Sequence, residues 1–188
     1  DVVIHCNSKE EAEHVLERVR ERLQEVKLSI KESKTRIAYC KDYRRRQDHD
    51  TVKFEFLGFS FQPLPMPSKR KPGSHYTGYG GKISGSSEEK ITDAIKKERL
   101  LSNTTIDLAL ISRVLNPRLR GWIGYYGLYG KRHLHRVLHR LDYRIIQWVK
   151  KKYKIGYRQS VVKLNAIKQT NPRLFYHWEL RICSGLLR

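Results

Sequence analysis

Apolar residues at Ala12, Val15, Leu16, Val19, Leu23 and Val26 recur at helical spacing, with Glu and Arg between them, and predict an amphipathic helix near the start of the chain. Ser8 followed three residues later by Glu11 is a capping box for that helix, the hydroxyl serving a helix-start amide and the carboxylate reaching back. Before it, Val2-Val3-Ile4-His5-Cys6 is short, apolar and β-branched and reads as a buried strand. A second strand is expected over 35–40. A third spans 53–61, where Phe54, Phe56, Phe59 and Phe61 flank a hairpin at Gly58. Strand, helix, strand, strand within about sixty residues is an α+β pattern.

The pattern breaks over 62–87, which carries Pro63, Pro65, Pro67 and Pro72 and then Gly73, Gly78, Gly80, Gly81 and Gly85, interleaved with Lys69, Arg70, Lys71, His75, Tyr76 and Tyr79. This reads as a loop or linker with a short β excursion near 79–83. It is either a solvated linker or an arm whose cations meet phosphates while its rings stack. Ser86 with Glu89 suggests another capping box, and beyond it helices are expected over 88–101, 106–115, 117–126, 131–153 and 160–168. Asn116-Pro117 reads as a helix start, Asn capping and Pro in the first turn. Within 131–153, Leu134, Leu138, Leu141, Ile145 and Trp148 form an apolar stripe that belongs to a core. Arg132, Arg136, Arg140, Arg144 and Lys151 run parallel to it, with only Asp142 nearby in acid, and suggest a face that tracks phosphates.

Charge strengthens that suggestion. The 188 residues hold 39 Lys and Arg against 19 Asp and Glu, a net charge of +20. Residues 1–50 are nearly balanced, 12 basic against 11 acidic, whereas 51–188 hold 27 against 8, so a polyanion is expected on the later part. Nineteen aromatic residues argue against a disordered basic tail. Cys6, Cys40 and Cys183 are far apart and form neither a CxxC nor a finger spacing, which supports neither a disulfide framework nor structural zinc and fits a reducing, cytoplasmic compartment. His133, His135 and His139 have no carboxylate or cysteine at matching spacing, and flanking arginines would repel a cation. No apolar run is long enough to span a membrane, and no membrane partner is expected. The opening Asp-Val-Val-Ile reads as a cut through a domain rather than a natural beginning.

Three strings carry a resemblance. Asp1-Val2-Val3-Ile4 before a capped helix looks like the tail of the Tyr-x-Asp-Asp palm hairpin of reverse transcriptases. Leu28-Ser29-Ile30-Lys31-Glu32-Ser33-Lys34-Thr35 with Phe56-Leu57-Gly58-Phe59-Ser60-Phe61 resembles the pair that ends that palm in group II intron and related bacterial enzymes. Leu115-Asn116-Pro117-Arg118-Leu119-Arg120-Gly121-Trp122-Ile123-Gly124-Tyr125-Tyr126 is similar to the maturase-specific (thumb, or X) domain of group II intron proteins and is the most diagnostic. Pro172-Arg173-Leu174-Phe175-Tyr176-His177-Trp178 looks like the end of the bacterial members.

The resemblance implies a C-terminal part of a group II intron reverse transcriptase/maturase. Its fold class would be α+β, an incomplete palm remnant over 1–61, a basic linker over 62–87 and an all-α thumb-like bundle over 88–188. It implies Asp1 as one palm aspartate and as an incomplete metal site, Lys34 beside the incoming nucleotide, and Leu57, Gly58 and Phe59 as the primer grip. It further implies Lys69, Arg70, Lys71, Arg118, Arg120 and the 132–151 basic stripe as RNA contacts. Independently of the resemblance, Leu119, Trp122, Ile123 and Tyr126 lie on one helical face and are expected to be core, and Gly121 and Gly124 would allow close helix packing or a close RNA backbone. The complete parent enzyme is an RNA-directed DNA polymerase using Mg²⁺; residues 1–188 alone are expected to hold no cofactor and to be inactive in synthesis. The implied partners are intron RNA and the template–primer duplex, with DNA as a further candidate and the implied task assistance to splicing. Two alternatives stay open: half of a split polymerase completed by a separate N-terminal chain, and a generic basic nucleic-acid-binding protein.

Overall fold

The computed structural model describes residues 1–182, and its contacts divide the chain into two units, Asp1–Gly81 and Lys82–Arg188. Cys183 lies outside the described residues. Helices and an antiparallel sheet coexist, as an α+β reading expects.

In the first unit, helix α1 (Lys9–Glu25) begins where its cap requires. Ser8 Oγ accepts from the Glu11 amide at 3.1 Å, and the Glu11 carboxylate accepts from the Asn7 amide at 2.6 Å. Its apolar stripe is only half-buried. Strands β1 (Phe54–Phe56), β2 (Phe59–Pro67) and β3 (His75–Ile83) form one sheet in the order β1-β2-β3. Phe54 pairs with Phe61 and Phe56 with Phe59, which leaves Leu57-Gly58 as a two-residue loop. Both loop residues have positive φ, 47° and 79°, the conformation that lets a tight hairpin follow the twist of its strands. The phenylalanine alternation lays the Phe54 ring on Phe61 at 5.0 Å.

The expected strands over 2–6 and 35–40 do not form; neither segment has ladder pairing, and Val2 is 80% exposed rather than buried. Their β-branched composition describes side chains that suit a pleated surface, but a strand also needs a neighbour along its length, and among the described residues only the Tyr39 amide finds one, donating to Thr51 O at 2.8 Å, too little for a ladder. The reverse holds over 62–87, where the expected linker is occupied by most of β2 and β3. Phe59 and Phe61 face β1, so Pro63, Pro65 and Pro67 continue that same edge beyond the last β1 pair, where a missing amide removes no ladder bond. Gly78 and Gly80 let the Met66 side chain cross β3, since a Cβ at either would lie 2.5 Å from it. Prolines and glycines that signal a loop are here the means of building a hairpin.

The second unit is helical: α2 (Gly85–Lys96), a 3-10 turn Leu100–Ser102, α3 (Leu108–Tyr126), a 3-10 turn Lys131–Leu134, α4 (His135–Tyr153), α5 (Tyr157–Thr170) and α6 (Tyr176–Glu179). One core joins Ile91 and Ile95 of α2, Ile111, Leu115, Leu119 and Ile123 of α3, the α4 stripe, Leu164, Phe175 and Trp178. The cap of α2 is Ser84 rather than Ser86: its buried hydroxyl accepts from the Ser87 amide at 3.2 Å. The two helices expected over 106–115 and 117–126 are one, with Pro117 inside. Asp107 caps α3, and Asn116 is engaged elsewhere, its amide donating to Leu174 O at 3.0 Å and its Oδ1 accepting from the Tyr176 amide at 2.9 Å.

Candidate nucleic-acid interface

Helix α4 is amphipathic, and its inward face is fixed by burial. Val137, Leu138, Leu141, Ile145, Ile146, Trp148 and Val149 are each no more than 2% exposed, as is Leu134 just before it. Asp142, the acid closest to the arginines in sequence, also points inward at 1% exposure and faces away from the basic side. Its Oδ1 accepts from His177 Nε2 at 3.0 Å and Trp178 Nε1 at 2.8 Å, and its Oδ2 from Lys168 Nζ at 2.7 Å. Burial alone would push this carboxyl up; the hydrogen bond and charge of His177, together with Lys168, more than offset it and hold it at about 2.

The basic stripe divides into two groups. Arg144 is part of the architecture: its guanidinium donates to the carbonyls of Ile95, Lys96 and Glu98, closing the C-terminal end of α2 where carbonyls lack helical partners and a cation is favoured. Arg140 is exposed and donates to Thr92 Oγ1 at 2.9 Å. Lys152 likewise donates to Ile106 O and lies 4.8 Å over the Trp148 ring. Arg136 and Lys151 are exposed with no side-chain partner among the described residues, and Lys150 joins them; Arg132 is exposed at the preceding turn. The spacing of four reads Arg144 as one of a row, but a helix turns 3.6 residues, so a strict four-residue step drifts around the cylinder. The solvent-facing row runs Arg136, Arg140, Tyr143, Gln147, Lys150, Lys154. Tyr143, Lys150 and Lys154 were missed by sequence reasoning; a helical projection of 135–154 carries the signal for them.

Residues 82–188 hold 23 Lys and Arg against 7 Asp and Glu, and the acids do little to cancel the field. Asp142 is buried, Asp107 caps α3, Glu98 pairs with Arg118 at 2.7 Å and Asp93 with Lys96 at 3.1 Å. His133 has its pKa lowered by burial first, then by Arg132 and Lys82.

On α3, Leu119 and Ile123 are buried and Trp122 and Tyr126 pack partly exposed against the core, as their shared helical face predicts. Arg118 is exposed, bound to Glu98, and lies 5.4 Å from the Trp122 ring; Arg120 lies 5.1 Å over Tyr176. Gly121 and Gly124 are exposed, and a Cβ at either meets nothing within 4 Å, so close helix packing is not their use within this unit.

In the first unit, Lys69, Arg70 and Lys71 are exposed at the tip between β2 and β3, where the Ser68 amide donates to Ser74 O at 2.9 Å and Gly73 takes a φ of 84°. Leu57 and Gly58 are the β1–β2 loop, and Phe59 is buried at the start of β2. Asp1 and Lys34 line a common cleft with Lys31, Arg36, Lys53 and Glu55. Two carboxylates among four cations do not fit the pair of divalent ions that the palm chemistry uses, so no step is assigned to Mg²⁺ on these residues.

Among the described residues no group of three or more His, Cys, Asp and Glu is placed to hold a metal ion, and no helix is long and apolar enough to cross a membrane. No curated protein matches the chain significantly. Residues 89–164 match the family model "Group II intron, maturase-specific domain", a span running from the second turn of α2 to the middle of α5 and including both the Leu115–Tyr126 string and the outward face of α4. This part of the chain is thus similar to the group II intron maturase-specific domain, which supports a maturase-related reading of residues 89–164.

Proposed function

We propose that the chain binds group II intron RNA through the maturase-specific domain and assists splicing by steadying the folded RNA, which performs its own chemistry. The observation that carries this reading is the α4 surface: Arg136, Lys150 and Lys151 are exposed and unpartnered among the described residues, while the one acid on the helix is buried on the opposite side. Cations left free at a surface release condensed counterions when they meet phosphates, which supplies affinity without reading sequence. Recognition of a folded intron then comes from matching shape, phosphate and 2′-hydroxyl positions. The exposed Lys69, Arg70 and Lys71 tip and the α3 arginines Arg118 and Arg120 are proposed as further RNA contacts, and the same surfaces would hold a template–primer duplex in a synthesising enzyme. Arg144 is assigned to the fold instead, because its donors are already engaged with α2.

The test is charge reversal on the outward face. The double variant Arg136→Glu, Lys150→Glu is expected to bind intron RNA more weakly and to flatten the dependence of log affinity on log salt by about one per lost phosphate contact. Helix content is expected to be unchanged because both side chains are exposed. Wild-type affinity and slope in that variant would assign the RNA to another face.

A further inference from the structure

In the outward row of α4, residues 136, 140, 143, 147, 150 and 154 follow one another at three- and four-residue steps, so they form one strip about 27 Å long. Cations occupy both ends. The middle is Tyr143, 48% exposed, with no hydrogen bond and no ring contact among the described residues. Several other exposed rings in this unit are engaged, Tyr153 under Lys163 Nζ at 4.1 Å and Tyr125 edge-on to Tyr126 at 4.9 Å, and Tyr157, exposed without such a contact, lies on α5 and not in this cationic row. The Arg140 guanidinium, one turn from Tyr143, is drawn to Thr92, and Arg144 is drawn to α2, so neither cation is committed to the ring. At the far end Lys154 caps the helix in a left-handed conformation, φ 51°, and adds an exposed cation to the strip.

A free aromatic face between free cations has a specific chemical complement. Phosphates alone would be served by more Lys or Arg at position 143, which are better helix formers than Tyr. An exposed ring adds a stacking platform, and in double-stranded RNA the base faces are already stacked on one another, so only an unpaired nucleotide can use it. From this geometry we infer that the α4 strip takes an unpaired stretch of an RNA strand, its phosphates along Arg136, Lys150 and Lys154 and one base stacked on Tyr143. The inference rests on the RNA-binding reading above and adds to it the strandedness of the segment that crosses α4. Within a folded intron such a stretch is a loop, bulge or junction strand.

The experiment compares the full chain with its Tyr143→Ala and Tyr143→Phe variants on two probes, a short single-stranded oligouridylate and a blunt RNA duplex of equal nucleotide count. Tyr143→Ala is expected to weaken single-strand binding by about 5- to 150-fold, the range for loss of one aromatic–base stack, and to leave duplex binding within about twofold. Tyr143→Phe is expected to keep single-strand affinity within about twofold, since the ring and not the hydroxyl acts. The salt slope should be the same in all three proteins, because no cation is removed. Wild-type-like single-strand binding by Tyr143→Ala, or an equal loss on both probes, would overturn the stacking role while leaving RNA binding intact. Failure of the wild-type chain to bind either probe would overturn the RNA-binding reading and this inference with it.

Discussion

Asp142 shows how far a residue's role can lie from its apparent neighbourhood. Along the chain it interrupts a run of arginines; in the fold it is the buried acceptor for His177, Trp178 and Lys168, joining α4 to α5 and α6. Replacing it by Asn leaves Lys168, itself 12% exposed, without its counter-charge and is expected to cost about 3–5 kcal/mol in unfolding free energy. The folded carboxyl, at about 2, lies below its ordinary 3.8. A depressed carboxyl contributes stability above the unfolded value and loses it as pH falls through the folded one. The wild-type protein should therefore lose about 2 kcal/mol between about pH 4 and pH 2 from this group. Urea midpoints over that range should show this component in the wild type and not in Asp142→Asn; an identical decline in both would remove Asp142 as its source.

Elements were legible wherever one periodicity governed them. The apolar stripe of α4 and the face of Leu119 and Ile123 are buried as their spacing predicts, and the Leu57-Gly58 hairpin forms where Phe alternation turns back. Boundaries failed where a residue type has two uses. Asn116-Pro117 has the chemistry of a helix start, yet Asn116 holds the segment leading into α6 by two backbone hydrogen bonds, and α3 passes through the proline. No local pattern reveals a partner 58 or 60 residues away. Asn116→Ala is expected to cost about 1–3 kcal/mol, the value of two net hydrogen bonds at a partly buried site. It should also speed hydrogen exchange at the Tyr176 amide well before that of α4. Unchanged exchange there would show that the aromatic contacts of Phe175 and Trp178 hold the segment without Asn116. The strands expected over 2–6 and 35–40 failed for a related reason: composition describes a side-chain surface, whereas a ladder depends on a second strand.

At the scale of the whole molecule, charge was the most legible property and the placement of charge the least. A net +20 and its bias to the later residues follow from counting. The sequence alone does not separate cations engaged with the protein, such as Arg144 and Lys152, from those free at the surface, such as Arg136 and Lys151, because that depends on where the ends of α2 and α3 fall. The family match and the helical surface meet on the same stretch, which makes recognition of structured intron RNA the central claim. Its most direct test is binding of the purified chain to a folded group II intron RNA across a salt series, beside an unrelated structured RNA of equal length. The account predicts a steep salt slope for both and a preference for the intron that persists as salt rises, since shape matching outlasts the counterion contribution. Equal affinity for the two RNAs at every salt concentration would contradict it and leave only a generic polycation.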